Sequence, residues 1–174
     1  MAGSVDPLGK ITAGTDLLGK IRNFVSGFVG YFDRENRREA DKLLRTTIAS
    51  RYEQQWGRVS AIQRQMIEAG NLEQVDQLEA AAIKLRTFID RIKTASYGYA
   101  GFFDAVRINE NELQKLYSYD LQLLEDVNNI SSAIDNVEAS MGSDGLPAAM
   151  RHLTTLCQDV VDAYDRRDEV LLAL

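Results

Sequence analysis

Residues Asp16 to Phe32 place Leu17, Leu18, Ile21, Phe24, Val25, Phe28, Val29 and Phe32 at spacings of one, three and four. That is the stripe of one helix face. Lys20 and Arg22 lie beside it, and Gly19, Gly27 and Gly30 fall on the opposite face. Each glycine costs roughly 1 kcal/mol against alanine inside a helix. The pattern therefore predicts an amphipathic helix over 16–32 that is marginal alone and ordered by whatever covers its apolar side. A membrane interface, a partner subunit and the chain's own core all qualify. Residues 1–15, with Pro7, Gly9 and Gly14, read as a flexible lead.

The rest of the chain is helical in period. From about Arg34 to Ala69, Leu44, Ile48, Tyr52, Val59, Ile62 and Met66 share a broad face with Trp56 beside it. Gly70-Asn71 supplies a helix stop followed by a good N-cap. A connection so short predicts an antiparallel helical hairpin of about 34–69 and 71–108. Its second arm alternates spacings of three and four through Val75, Leu78, Ala82, Leu85, Ile89, Ile92 and Ser96, and on to Tyr99, Phe103 and Val106. That is a heptad seam of coiled-coil type. A boundary follows at Asn109–Asn111. A third long helix repeats the seam with Leu113, Leu116, Asp120, Leu123, Val127, Ile130, Ile134, Val137 and Met141. Asp120 is its one polar member, a device that sets register or partner at some cost in stability. Replacing it by leucine is on that ground expected to be tolerated. After Gly142–Gly145, an acidic helix over 146–174 carries Met150, Leu153, Cys157, Val160, Tyr164 and Leu171 on one face. The expected fold is all-α: an amphipathic helix at 16–32, a hairpin plus third helix across 33–141, and the C-terminal helix.

Charge and composition sharpen this picture. Residues 1–103 carry 15 Lys/Arg against 12 Asp/Glu, and residues 104–174 carry 5 against 14. The two halves can attract each other or the opposite halves of neighbouring copies. Two prolines and 45% hydrophobic residues argue against disorder. A lone cysteine, Cys157, excludes an intramolecular disulfide and favours a reducing compartment. The first residues lack the order of a secretory signal, and no apolar run reaches the length of a membrane span.

The residues offer little catalytic chemistry. His152 and Cys157 are five apart and do not share a helix face as a nucleophilic pair needs. Neither a Glu-x-x-His di-metal pattern nor a phosphate-binding glycine loop occurs. Catalytic and metal residues are therefore assigned to none, no cofactor is expected, and nucleic acid is not an expected partner. The glycines of Tyr97–Phe103 read as a close helix approach, with Tyr99 and Phe103 in the seam.

An amphipathic N-terminal helix, a long antiparallel hairpin, further helices and a basic-then-acidic charge order together resemble the ESCRT-III superfamily, including its bacterial phage shock protein A branch. The stretch Glu68-Ala69-Gly70-Asn71-Leu72-Glu73-Gln74-Val75, followed by Leu78, Ala81 and Leu85, is similar to the hairpin tip of that branch. The resemblance covers residues 16–141 as architecture and about 66–92 as sequence. It implies a non-enzymatic protein that polymerises on membranes, in membrane remodelling or protection. On that reading Leu17, Leu18, Lys20, Ile21, Arg22, Phe24, Val25, Phe28, Val29 and Phe32 bind an anionic membrane surface. Val75, Leu78, Leu85, Ile89, Ile92, Leu116, Asp120, Leu123, Val127 and Ile130 serve packing and self-assembly. Location is then cytoplasmic and peripheral to the membrane, and a protein partner fits the C-terminal helix. Two alternatives stand beside it: a soluble helical-bundle interaction module, whose first helix packs into its own core, and a pore-forming helical effector.

Overall fold

The computed structural model describes residues 7–31, 36–98 and 109–172, all of whose regular structure is α-helical. Five helices follow in order: α1 (Pro7–Phe24), α2 (Arg37–Glu68), α3 (Leu72–Gly98), α4 (Glu110–Ala139) and α5 (Leu146–Leu172). Phe32, Tyr99, Phe103 and Val106, named above as face or seam positions, lie outside the described residues.

The helix ends follow local chemistry. At the close of α2, Gly70 takes φ +78°, and the Gly70 and Asn71 amides donate to Ile67 and Met66 carbonyls. This left-handed glycine stop reverses the chain into α3. α4 opens on a reciprocal capping box: the Asn109 side chain accepts from the Glu112 amide at 3.0 Å, and the Asn109 amide donates to the Glu112 carboxylate at 2.8 Å. Gly142, at φ +75°, turns the chain between α4 and α5.

The four long helices form a ring. α2 packs on α3 and α4, and α5 packs on α3 and α4. Cross-helix bonds fix directions. Gln63 meets Glu79 and Lys93 meets Glu53, so α2 and α3 run antiparallel. Tyr52 reaches the Leu123 carbonyl and Arg58 reaches Asp135, so α2 and α4 run parallel. Lys84 meets Gln158 and Arg91 meets Asp165, so α3 and α5 run parallel. The two tight turns, at 69–71 and 140–145, therefore share one end of the ring. At the other end, α1 lies against α4.

The core runs the length of the ring. Leu78, Leu85, Ile89, Ile92, Leu116, Asp120, Leu123, Val127 and Ile130 are all buried, and the half-buried Val75 packs against them. This burial is inside one chain. In the folded chain these side chains pack against other helices of the same molecule.

Two boundaries at the N-terminus are corrected. The helix begins at Pro7, within the segment read as a lead, with proline in the first turn where its missing N–H costs nothing. It ends at Phe24, not at residue 32. Beyond it, Gly27 (φ +81°) and Gly30 (φ +88°) take the left-handed conformation that a helix cannot contain. The periodic stripe nevertheless continues past the end of α1. Val25, Phe28 and Tyr31 fold back onto the same core as Leu18 and Ile21.

Candidate functional site

The sequence assigned ten residues to a lipid-facing surface. Leu18, Ile21, Val25 and Phe28 are instead buried in the common core, and Leu17 and Phe24 are half-buried against it. Lys20 and Arg22 are exposed, and Val29 is 53% exposed. The apolar face exists, but α4 and its neighbours cover it. Of the apolar set among the described residues, only Val29 is exposed in the folded chain, and Leu17 and Phe24 are partly so.

What holds residues 25–31 in place is polar as well as apolar. The Tyr31 ring stacks on Tyr117, with centroids 5.4 Å apart and planes 10° from parallel, and Phe28 meets both rings edge-on. The Tyr31 amide donates to Tyr117 Oη at 2.7 Å. Arg37 Nε donates to the Tyr31 carbonyl at 2.5 Å, and Arg22 Nε to the Phe28 carbonyl at 2.9 Å. Arg51 of α2 donates to the Phe24 carbonyl at 2.7 Å, with its guanidinium 5.5 Å from the Phe24 ring centre. Each bond satisfies a backbone group of the last turn of α1 or of the non-helical segment that follows it.

Beneath this strap lies a buried charged cluster. Arg167 of α5 donates through Nε to Asp120 Oδ1 at 2.6 Å and through Nη2 to Asp41 Oδ1 at 3.0 Å. Asp41 Oδ2 accepts from Arg45 Nε at 2.6 Å, and Arg45 Nη1 donates to the Ile92 carbonyl at 3.3 Å. Tyr31 donates to Asp120 Oδ2 at 3.0 Å. Asp120 is 0% exposed and Arg167 1%. Two arginines and two aspartates thus neutralise one another across α2, α4 and α5. Burial pushes the Asp120 carboxyl up, and Arg167 pulls it back. Burial likewise raises the Tyr31 hydroxyl, and the neighbouring Asp120 raises it further. For Arg167 burial acts downward, but Asp120, Tyr31 and Asp41 together hold the guanidinium well above its ordinary range. Arg167 therefore stays charged, and the cluster acts as a fixed ionic clasp rather than a proton relay open to solvent.

Sequence reasoning found Asp120 and missed its partners. Arg167 was signalled. It lies three residues after Tyr164 and four before Leu171, at the vacant seam position of α5. Asp41 and Arg45 carried a weaker sign, an i, i+4 pair within a charge-rich stretch that reads as solvated. Tyr31 carried none, because a helix was expected where a turn occurs.

The remaining candidate groups are inert or outside. Cys157 is buried, and burial pushes its thiol up to about 12. His152 is exposed on α5. No group of His, Cys, Asp and Glu suited to a metal ion occurs among the described residues, and none of the described helices is long and apolar enough to cross a membrane. Compared with protein-family models, curated proteins and solved structures, the chain matches none.

Proposed function

We propose that this protein is a non-enzymatic helical-bundle module that works by protein–protein contact through its outer surface. One observation carries the reading: the apolar face of α1 is packed into the same core as the four long helices. A face already removed from water gains little by moving to lipid. The convergent charged side chains are likewise sealed inside and paired, which suits a structural clasp better than catalysis. Large apolar side chains that remain outside are scattered. Ile67 and Leu72 flank the α2–α3 turn, and Ile83 sits beside half-buried Trp56. These are the positions at which a partner gains most.

The second reading is a membrane-associated polymer, which requires α1 to leave the bundle. It is favoured by the peripheral place of α1, which packs chiefly on α4, and by its glycines, which weaken it as a helix. One experiment separates the two. The protein is sedimented with anionic vesicles at low salt while amide exchange of Leu18–Val25 is followed. The bundle reading expects protein in the supernatant and exchange unchanged by vesicles. Co-sedimentation with faster exchange confined to α1 and the strap would overturn it in favour of the membrane reading.

A further inference from the structure

Between α2 and α3 lies a pocket of about 340 Å³. Its α2 wall follows from helical spacing. Lys42, Thr46, Ala49 and Glu53 recur every three to four residues, with Ser50 four after Thr46, and so share one face. Ala49 is small and fully buried, which leaves room above it, and Ile92 of α3 closes the apolar floor. Three cations line the space: Lys42, Arg45 and Lys93. Lys42 makes no ion pair among the described residues. Lys93 pairs with the one lining carboxylate, Glu53. Arg45 is anchored from behind by Asp41 and the Ile92 carbonyl, so its guanidinium cannot swing away. The hydroxyls of Thr46 and Ser50 make no hydrogen bond among the described residues, whereas the neighbouring Thr47 bonds back to the Leu43 carbonyl.

This is a set of donors around an apolar floor, in which Arg45 and Lys93 are each paired with a carboxylate and Lys42 carries the uncompensated charge. A phosphate group offers acceptors only, and a cluster of ammonium, guanidinium and hydroxyl donors matches it. The volume is at the small end of ligand pockets. We infer that the α2–α3 pocket binds the phosphate of an organic phosphate ester whose apolar body rests on Ala49, Ile92 and the lysine stems.

The test is a ¹H–¹⁵N NMR titration with phenyl phosphate, with phenol and inorganic phosphate as controls. Phenyl phosphate is expected to shift amides of residues 42–53 and 92–93 saturably, inorganic phosphate more weakly, and phenol not at all. Lys42→Gln with Lys93→Gln is expected to weaken phenyl phosphate binding by about tenfold or more, as loss of charge-assisted bonds implies. Arg64→Gln, elsewhere on α2, should leave it unchanged. Competition by phosphatidic acid vesicles assigns the phosphate to a lipid headgroup, and its absence assigns it to a soluble ester. Shifts that do not saturate, that spread over all surface cations, or that weaken equally in Arg64→Gln would overturn the inference. Thermal unfolding of each variant confirms that the surface lysines were removed without loss of fold.

Discussion

Asp120 shows how a buried charge depends on its partners. On its sequence position alone, leucine there is expected to be tolerated. With Arg167 bonded at 2.6 Å and both groups sealed from water, that expectation reverses. Asp120→Leu leaves Arg167 buried with Asp41 alone and should cost about 3–5 kcal/mol, read by denaturant unfolding. Asp120→Leu combined with Arg167→Leu should recover much of that loss, because no uncompensated charge remains. A double variant as unstable as the sum of the singles would refute this account of the clasp. Half of this pair was legible in the sequence as a polar interruption of a seam. The other half fills the matching vacancy in α5, but reading it needs the knowledge that the two seams face each other. Cys157 gives a second test. Its thiol stays protonated in the fold up to about pH 12 but ionises at about 8.5 when unfolded. Because the folded pKa is the higher, the stability it contributes is full below about pH 8.5 and declines as pH rises toward 12. Burial raises Tyr31, Tyr52 and Tyr117 as well, so they act with the same sign above their ordinary range of about pH 10. Alkaline unfolding should therefore set in before the thiol titrates within the fold, and Cys157 should resist thiol reagents at about pH 8 until the protein is denatured.

Among the elements, α2 to α5 were legible because their periodicity coincides with real helices. Their ends were legible where turn chemistry is strong, at Gly70-Asn71 and at the Asn109 cap. α1 was not, because a stripe with helical spacing passed unbroken from a helix into a turn that packs on the same core. Glycine separates the two cases experimentally. Gly57 lies inside α2, exposed, and a Cβ added there would have nothing within 4 Å, so Gly57→Ala should stabilise by about 1 kcal/mol and raise Tm by roughly 2–4 °C. Gly30 has φ +88°, and a Cβ there would meet Tyr117 Oη at 2.7 Å. Gly30→Ala should destabilise by about 1–3 kcal/mol, with loss of the Tyr31–Tyr117 stack seen in near-ultraviolet dichroism. A neutral Gly30→Ala would show that the strap is not held as described.

At the scale of the whole molecule, the uneven charge of the sequence is used internally. Arg58 of α2 meets Asp135 and Glu138 of α4, and Arg91 of α3 meets Asp165 and Asp168 of α5. Basic residues of the first half thus face acidic residues of the second across the ring. These pairs are partly exposed and individually worth little. They favour one order of helices around the ring over another more than they add stability. The attraction between halves was readable from the sequence, but whether it acts within one chain or between copies was not, since charge order alone carries no distance.

The clasp also joins the most distant parts of the chain: Asp41 to Arg167 spans 126 residues and Tyr31 to Arg167 spans 136. By contrast, α2 with α3 and α4 with α5 are neighbours in sequence and close short loops. Short loops close at least entropic cost, so each pair is expected to associate early, and the ionic contacts across them to form after the rate-limiting step. Substitutions in the clasp should then leave the refolding rate nearly unchanged and accelerate unfolding by almost their full free-energy cost. A chevron plot of Asp120→Asn with shifted unfolding arm and fixed refolding arm would meet this expectation, and the reverse would place the clasp in the folding nucleus. In that sense Arg167 governs the lifetime of the folded molecule rather than the speed at which it is made.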